Sequence, residues 1–266
     1  DLDLLRWCHE LRFCTIDHLT ALTGRHRQAL NLRLQTLIRE KYVYRIAFPN
    51  PNQKHVYSLG TQGFRHLAYA GVIRLTDVPA RLRTSELKPF FLDHTLLVTD
   101  IHTTLILASR DSQKGLAYWR EGRQLYDSVT FYENGRKKRL PVCPDAFFSL
   151  EKNGDPKTRP AFALEADRGT TTRRTFEDKL SGYWRFLEQG RQIKSYGVPW
   201  FRVVTVTLSE TRAASLREMA ARSIPDAYRK YFLFGSRTGF SFAEPTAIFQ
   251  PIFASAKNQK ILTVLP

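Results

Sequence analysis

The chain has 266 residues, and its 41 Lys and Arg against 25 Asp and Glu give a formal net charge of +16. A hydrophobic content of 42% can fill a buried core, which excludes a disordered basic tail, and no apolar run reaches the roughly 18 residues of a membrane helix. A folded chain of this charge is typical of proteins that bind nucleic acid, so we expect a DNA partner and no membrane partner.

Residues 1–75 are predicted to form three short helices followed by a β-hairpin. Thr15 stands where the N-cap of the second helix belongs, and Gly24 ends that helix. The third helix is predicted over residues 25–40. Two alternating runs, 42–48 and 55–59, then flank a turn rich in Pro and Asn. This order of elements predicts an N-terminal winged helix-turn-helix domain.

The exposed side of the third helix carries side chains that can contact DNA. Its apolar stripe consists of Leu30, Leu34, Leu37 and Ile38. The other side has no acid before Glu40 and contains the candidate DNA-binding residues Arg25, Arg27, Gln28, Asn31, Arg33 and Gln35. Such side chains contact base edges and phosphates in a major groove. Lys54 on the hairpin is a further candidate. The alternative is a solvated helix face, although such faces usually mix Glu with Lys.

A second domain is predicted over residues 91–266, because residues 76–90 have the composition of a linker. It begins with a helix over 91–110. Strands are then predicted near 117–125, 128–132, 142–150, 161–167 and 201–208, with Asn134-Gly135 as a hairpin turn after the second of them. One helix is predicted over 175–189, and another follows Ser209. This order predicts an α/β sandwich.

Three carboxylates accompany two of the apolar strands. Asp145 opens one strand, and Glu165 and Asp167 lie about twenty residues later on one face of the next. Two acids at this spacing repel each other unless a cation or a strong donor lies between them. We expect the three side chains to form an oxygen-rich site suited to Mg²⁺ or Mn²⁺. Salt bridges to nearby arginines such as Arg168 are the alternative.

The helix that follows this strand adds positive charge. Lys179 shares a helix face with the apolar Phe176 and Leu180, so we expect it to point toward the acids. A lysine in that position is either part of a buried ion pair or a catalytic donor. Arg173 and Arg174 at the start of the helix are candidates for holding DNA phosphates.

The acidic motif resembles the PD-(D/E)xK nuclease core. Pro144-Asp145 is followed about twenty residues later by Glu165-Ala166-Asp167 and then by a helix, with Asp167 where the superfamily has lysine. Some members carry the lysine on the following helix, where Lys179 stands. Over residues 4–225 the chain resembles plasmid replication-relaxation proteins, which include mobilization relaxases with a nuclease-like domain. The segments that carry this resemblance are Leu92-Asp93-His94-Thr95-Leu96, Pro144-Asp145-Ala146, Leu164-Glu165-Ala166-Asp167-Arg168-Gly169-Thr170, and Lys179-Leu180 with Tyr183.

The resemblance implies a restriction-endonuclease-like α/β sandwich after the winged helix-turn-helix. It implies that Asp145, Glu165 and Asp167 are catalytic and bind Mg²⁺ or Mn²⁺, and that Lys179 stabilises the developing charge on the phosphate. It also implies a catalytic role for His94, for which a helix cap is the alternative. Asp100 lies on the same helix, and its spacing from Asp93 places it toward the same site.

These features predict a metal-dependent, site-selective DNA nickase, a relaxase-like endonuclease acting at an origin of a plasmid or mobile element in mobilization and conjugation. Its expected partners are duplex DNA with an origin-like site, single-stranded DNA and accessory mobilization proteins. One alternative is a non-catalytic DNA-binding regulator of replication or transcription with a decayed nuclease-like domain, and another is a restriction-like defence nuclease. Cys8, Cys14 and Cys143 form no CxxC pair, which indicates a reducing compartment, and we expect the cytoplasm.

Overall fold

The computed structural model describes residues 1–46, 54–77, 89–110, 112, 114–152, 159–257 and 261–262. These residues form a mixed α/β structure, and the chain divides into two units, Asp1–Thr103 and Thr104–Pro266. The division falls within a helix that begins at Pro89. Most of the predicted linker, residues 78–88, lies outside the described residues, as does the predicted hairpin turn within residues 47–53.

The first unit combines helices with a three-stranded sheet. In chain order its elements are α1 (Leu2–Glu10), β1 (Cys14–Thr15), α2 (Ile16–Thr23), α3 (Arg27–Arg39), β2 (Val43–Ile46), β3 (Val56–Leu59), α4 (Thr61–Tyr69), a 3-10 turn (Leu75–Asp77) and the first part of α5 (Pro89–Arg110). β3 lies between β1 and β2 and is antiparallel to both.

Local sequence determines both ends of α2 and the start of α3. Thr15 is the N-cap of α2, and its backbone N donates to Nδ1 of His18 at 2.9 Å in a capping box. Gly24 ends α2 with a φ of 66°, in the left-handed region where glycine carries no steric penalty. α3 starts later than predicted, because His26 is its N-cap. Arg25 consequently lies in the turn before the helix.

The apolar stripe predicted for α3 is buried. Leu30, Leu34 and Leu37 are nearly inaccessible to solvent, and Ile38 is half-buried. α4 was not predicted, because Gly63 weakens the helical pattern of its sequence. The structure requires that glycine, since a Cβ at position 63 would lie 2.3 Å from the carbonyl oxygen of Tyr42. Close packing of α4 on β2 therefore explains the missed helix.

The second unit contains one large sheet, a separate two-stranded ribbon and the helices that pack on them. Its elements are the end of α5, β4 (Lys114–Arg120), β5 (Asp127–Glu133), β6 (Arg136–Val142), β7 (Ala146–Lys152), β8 (Ala161–Asp167), α6 (Arg173–Glu188), α7 (Arg191–Tyr196), β9 (Arg202–Thr207), α8 (Glu210–Ser223), α9 (Asp226–Arg229), β10 (Phe232–Ser236), β11 (Phe253–Ser255) and β12 (Ile261–Leu262), with 3-10 turns at Arg123–Leu125, Arg237–Gly239 and Pro245–Phe249.

The large sheet has the strand order β12-β11-β10-β9-β8-β7-β4. β8, β9 and β10 are parallel, and the other neighbouring pairs are antiparallel. α6 leads from β8 to β9, and α8 leads from β9 to β10. Both helices contribute to one apolar cluster on the same face of the sheet, which includes Ala163 and Val203 from the strands, Phe176 and Leu180 from α6, and Leu216 from α8. This cluster fixes α6 and α8 over the end of β8.

β5 and β6 form a ribbon that is paired only with itself among the described strands. Asn134 and Gly135 join them with φ angles of 52° and 74°, as the hairpin signal in the sequence predicts. The strand predicted over 142–150 is in fact two elements, because β6 ends at Val142 and β7 begins at Ala146. Pro144 lies in the gap, where its missing backbone N–H favours a break in the ladder.

Among the described residues, no helix has both the length and the apolar character needed to cross a bilayer.

Candidate functional site

Glu165 is the centre of a buried hydrogen-bonded group in the second unit. Its side chain lies on β8 and is 5% exposed. Its Oε2 accepts a hydrogen bond from Nζ of Lys179 at 2.5 Å, and its Oε1 accepts one from the hydroxyl of Tyr183 at 2.5 Å. Lys179 and Tyr183 are four residues apart on α6, so both side chains reach the same carboxylate. α6 thus brings an ammonium group to the acid, as its helical spacing indicates.

Asp145 stands beside Glu165 at the start of the neighbouring strand. The register of β7 and β8 pairs Ala146 with Leu164, so Asp145 comes one step further, opposite Glu165. Residues directly opposed on antiparallel strands place their side chains on the same face of a sheet. The Oδ2 of Asp145 accepts a hydrogen bond from the backbone N of Ala166 at 2.8 Å, which holds it against β8. The two acids therefore meet at one end of the β7–β8 pair.

Burial and charge perturb the ionisation of this group. Burial raises the pKa of Glu165 to about 7, while Lys179 opposes the rise and Asp145 adds to it. Burial alone would lower the pKa of Lys179, but the carboxylates of Glu165 and Asp145 raise it above its ordinary value. Burial, and then the charge of Glu165, raises the pKa of the Tyr183 hydroxyl well above its ordinary value. A charged ammonium and a protonated phenol therefore face a carboxyl group whose pKa burial raises.

Asp167 lies two residues along β8 but has different partners. Its Oδ2 accepts hydrogen bonds from Nε of Arg212 at 2.9 Å and from the backbone N of Gly169 at 3.0 Å, and its Oδ1 accepts from Nη2 of Arg212 at 3.3 Å. Asp167 is 5% exposed, and Arg212 belongs to the first turn of α8. The structure therefore joins Asp145, Glu165 and Lys179 in one group and engages Asp167 with Arg212, in a two-pronged ion pair.

Tyr183 and Arg212 have no chemical role in the sequence-based prediction. The spacing of Tyr183 from Lys179 was an available signal, because residues four apart on a helix lie side by side. The signal for Arg212 depends on the parallel pairing of β8 and β9, which sets Asp167 level with Thr207. Because α8 starts just after β9, its first turn lies at the same end of the sheet as Asp167. The sequence alone does not reveal that β8 pairs with β9.

A divalent cation such as Mg²⁺ requires several oxygen ligands. Within the described ranges, no three or more His, Cys, Asp and Glu side chains form a group that could hold a metal ion. Asp145 and Glu165 still supply carboxylate oxygens from neighbouring strands. Mg²⁺ is usually bound through one or two protein carboxylates together with substrate phosphates and waters. Two carboxylates therefore fit an ion whose remaining ligands would be phosphate oxygens and waters, while Asp167 is paired with Arg212.

α5 carries two other residues that the sequence associates with this site. His94 is half-buried on α5 in the first unit, and its catalytic role stays a prediction. The Oδ1 of Asp100 lies 2.7 Å from Nε2 of His18, which belongs to α2. Asp100 thus has a buried histidine of the first unit as one partner, and its place in the carboxylate site stays a prediction.

The polar residues of the first unit that the sequence predicts for DNA contact are all exposed. Five of them lie on α3, and these are Arg27, Gln28, Asn31, Arg33 and Gln35. Arg25 lies in the turn before α3. Arg33 pairs with Asp1. Arg27 pairs with Asp17, and Nζ of Lys54 donates to the same carboxylate at 2.6 Å. Burial alone would raise the pKa of Asp17, but the hydrogen bonds from Lys54 and Arg27 lower it. Asp17 thus ties α3 to Lys54, which lies two residues before β3.

In the second unit, exposed cations adjacent in the sequence occur at the start of α6 and on the ribbon. Arg173 and Arg174 are exposed in the first turn of α6, and Nε of Arg173 donates to Oε1 of Glu177 at 2.9 Å. The second place is the ribbon, where four consecutive exposed cations, Arg136, Lys137, Lys138 and Arg139, follow the hairpin turn. The ribbon cations were missed in the sequence, although a run of four basic residues was a visible signal.

Fold and site together define a mixed α/β protein in which two acids of neighbouring strands meet a lysine from the following helix. The chain belongs to the replication-relaxation family, whose family model matches residues 5–200. The matched segment contains all the candidate residues from Arg25 to Lys179 and ends before Arg212. No curated protein and no solved structure matches the chain.

Proposed function

We propose that this protein is a DNA-binding nickase of a plasmid or mobile element, which cuts one strand at a selected site near an origin and depends on Mg²⁺ or Mn²⁺. The observation that carries the proposal is the meeting of Asp145 and Glu165 on neighbouring strands, with the ammonium of Lys179 2.5 Å from Glu165. The family name supports a role in replication and DNA relaxation. Relaxation of a closed supercoiled circle requires a break in at least one strand.

The first unit would select the DNA sequence at which the protein binds. Its helix, short strand, two helices and antiparallel pair of strands have the order of a winged helix-turn-helix. In that architecture the third helix enters the major groove, and α3 presents Gln28, Asn31 and Arg27 on its exposed side. Amide and guanidinium groups form paired hydrogen bonds with base edges. We therefore assign site recognition to α3 and contact with the DNA backbone to Lys54.

The second unit would perform the cut as a restriction-endonuclease-like domain. Two antiparallel strands that carry the acids, followed by a helix that leads to a parallel strand, support this assignment. Asp145 and Glu165 would hold the ion. When bound, a divalent cation supplies Lewis acidity toward the scissile phosphate and lowers the pKa of a bound water. Arg173 and Arg174 at the start of α6 would hold phosphates that flank the scissile one.

The other residues of the site would orient its carboxylates and balance their negative charge. Lys179 offers its ammonium to the negative charge that develops on the phosphate, and its raised pKa keeps it charged at neutral pH. Tyr183 donates to Glu165 and orients that carboxylate. Arg212 holds Asp167 and so fixes the end of β8, which is why we regard Asp167 as a positioning residue and not as a ligand.

A non-catalytic regulator of replication or transcription is the second candidate. It is favoured by the pairing of Asp167 with Arg212 and by the hydrogen bonds that both oxygens of Glu165 accept. A group whose acceptors are satisfied by the protein also fits a scaffold that binds DNA without cutting it. In that case α3 would carry the function, and the second unit would support binding or assembly.

Conversion of a supercoiled plasmid to open circles separates the two candidates. The plasmid carries the origin of the element that encodes the protein, and Mn²⁺ or Mg²⁺ is added. We expect wild type to nick it, and Asp145→Asn and Glu165→Gln to lose activity by at least about 100-fold. Glu151→Gln, on the same strand as Asp145 but outside the site, is the matched control and keeps full activity. Tight binding without nicking under either ion would contradict the nickase and support the regulator.

A further inference from the structure

The β5–β6 ribbon concentrates positive charge on a defined structure. Arg136, Lys137, Lys138 and Arg139 are consecutive and exposed at the start of β6. Glu133 pairs with Lys138 at the hairpin end of the ribbon. Asp127 lies at the opposite end and accepts hydrogen bonds from Ser195 and Arg191, both at 2.5 Å. The acids of the ribbon are thus engaged, and the charge near its tip is strongly positive.

The two faces of the ribbon have different compositions. Val129, Leu140 and Val142 point to one face, where they join the apolar cluster under α6. The strand register pairs Thr130 with Arg139 and Tyr132 with Lys137 on the other face. All four of these side chains are exposed, and Tyr132 is 73% exposed. The outward face therefore combines cations with a hydroxyl group and a phenol, which can all donate hydrogen bonds.

α6 holds the ribbon in a fixed position. Gly182 of α6 lies so close to the ribbon that a Cβ there would come within 3.0 Å of the carbonyl oxygen of Pro141. Nε2 of Gln189 donates to the carbonyl oxygen of Thr130 at 3.0 Å, and the guanidinium of Arg185 lies 3.8 Å from the centre of the Phe131 ring. The same helix brings Lys179 to Glu165. The ribbon and the carboxylate site are therefore attached to one rigid element.

We propose that the outward face of this ribbon is a second duplex-binding surface. It contacts DNA phosphates through Lys137 and Arg139, with the exposed Arg136 beside them at the hairpin end of the ribbon, and it leads the duplex toward the Glu165 site. A two-stranded ribbon is narrow enough to enter a major groove, and phosphates pair with Arg and Lys. A face that served solubility alone would mix acids among the cations. The surface gives the second unit its own hold on the DNA that α3 selects.

The inference rests on the proposed function in one respect, namely that duplex DNA is the substrate of the second unit. The ribbon proposal and the proposed nickase function can fail independently of each other. Binding is measured without a divalent cation, so loss of nicking would not affect it. Conversely, a wild-type chain could nick DNA while its ribbon contributes nothing to affinity.

The test uses the full chain and a variant in which all four ribbon cations are replaced, R136Q/K137Q/K138Q/R139Q. Its matched control is R110Q/R159Q/R222Q/K257Q, which removes four exposed cations of the same unit at other places. Both variants lower the formal charge from +16 to +12, because each removes four positive charges. A third variant, K137R/K138R, keeps the charge of the ribbon. Affinity for a random duplex is measured by fluorescence anisotropy across a series of salt concentrations.

We expect the ribbon variant to bind about 10- to 100-fold more weakly near 0.1 M salt, with a slope of log K against log salt that is shallower by about 2–3 units. The control and K137R/K138R should bind within about threefold of wild type. Equal losses in the ribbon variant and the control would show that only net charge matters and would overturn the proposal. Wild-type affinity in the ribbon variant would overturn it too, as would loss of binding to anionic vesicles with unchanged binding to DNA.

Discussion

The guanidinium of Arg212 donates two hydrogen bonds to the carboxylate of Asp167, although the two residues are 45 positions apart in the sequence. The pair links the end of β8 to the first turn of α8. Asp167 is 5% exposed, so its carboxylate is largely removed from water and is stabilised by these hydrogen bonds. Because Glu165 is two residues earlier on β8, the pair also sets the position of the carboxylate that faces Lys179.

Replacing Arg212 with Ala should therefore lower the free energy of unfolding by about 2–4 kcal/mol, because a buried carboxylate loses its counter-ion. Urea unfolding measures the loss. Arg222→Ala, at an exposed position on the same helix, is the control and should cost less than about 0.5 kcal/mol. Adding Asp167→Asn to the Arg212 variant should restore part of the stability, and absence of any coupling between the two changes would contradict this role.

Asp17 restrains two of the cations on the proposed DNA-binding face formed by α3 and its neighbourhood. It pairs with both Arg27 and Lys54. Asp17→Asn should release them and strengthen binding to a random duplex by about threefold to tenfold, with a steeper dependence on salt. Asp3→Asn on α1 carries the same change of charge and serves as the control in the anisotropy assay. If both variants bind alike, Asp17 has no specific hold on the DNA-binding face.

His18 joins α2 to α5 through a defined tautomer. Its Nδ1 accepts from the backbone N of Thr15, so Nε2 carries the hydrogen and donates to Asp100. Asp100→Ala should leave that buried N–H without its carboxylate acceptor and lower the free energy of unfolding by about 1–3 kcal/mol. Asp100→Asn keeps an acceptor and should cost less. The nicking rate of the folded Ala variant should equal that of wild type, and a lost rate would instead place Asp100 in the catalytic site.

His102 gives the protein a stability that depends on pH. Burial lowers the pKa of this histidine on α5 from 6.5 to about 3. Between these values the unfolded chain binds a proton that the folded chain does not, so the contribution is present above pH 6.5 and is lost as the pH falls. As the pH falls from 6.5 to 5, this residue should lower the free energy of unfolding of wild type by up to about 1.4 kcal/mol per pH unit.

The matched comparison for this prediction is urea unfolding of His102→Gln and of His55→Gln, which changes an exposed histidine. His102→Gln should flatten the loss of stability between pH 7 and 5, whereas His55→Gln should follow wild type. Parallel curves for all three proteins would mean that His102 is not kept neutral by burial.

Local signals in the sequence predicted much of the fold. Thr15 and Gly24 fixed the ends of α2, and Asn134-Gly135 fixed the turn of the ribbon, because caps and tight turns depend on a few adjacent residues. The strand over 161–167 was predicted with its observed bounds. Its alternation correctly placed Glu165 and Asp167 on the side that faces the helices, where α6 and α8 contact them.

The parts that were missed depend on contacts between distant segments. Gly63 and Gly235 interrupt α4 and β10 in the sequence, but both are required by close neighbours, since a Cβ at Gly235 would lie 2.6 Å from the Phe253 ring. In the site, the sequence indicated which acids matter but not which cation each one meets. The antiparallel register of β7 and β8 sets Asp145 opposite Glu165, and the parallel pairing of β8 and β9 brings Asp167 to Arg212. Both relationships depend on how the strands are ordered in the sheet.

The proposed function requires that Asp145 and Glu165 together bind a divalent cation. Titration with Mn²⁺, followed by electron paramagnetic resonance in the presence of a short duplex, measures this directly. We predict one ion for each chain, with affinity reduced by more than about tenfold in Asp145→Asn and in Glu165→Gln and unchanged in Glu151→Gln. Absence of binding by wild type, or equal affinity in all four proteins, would contradict the claim.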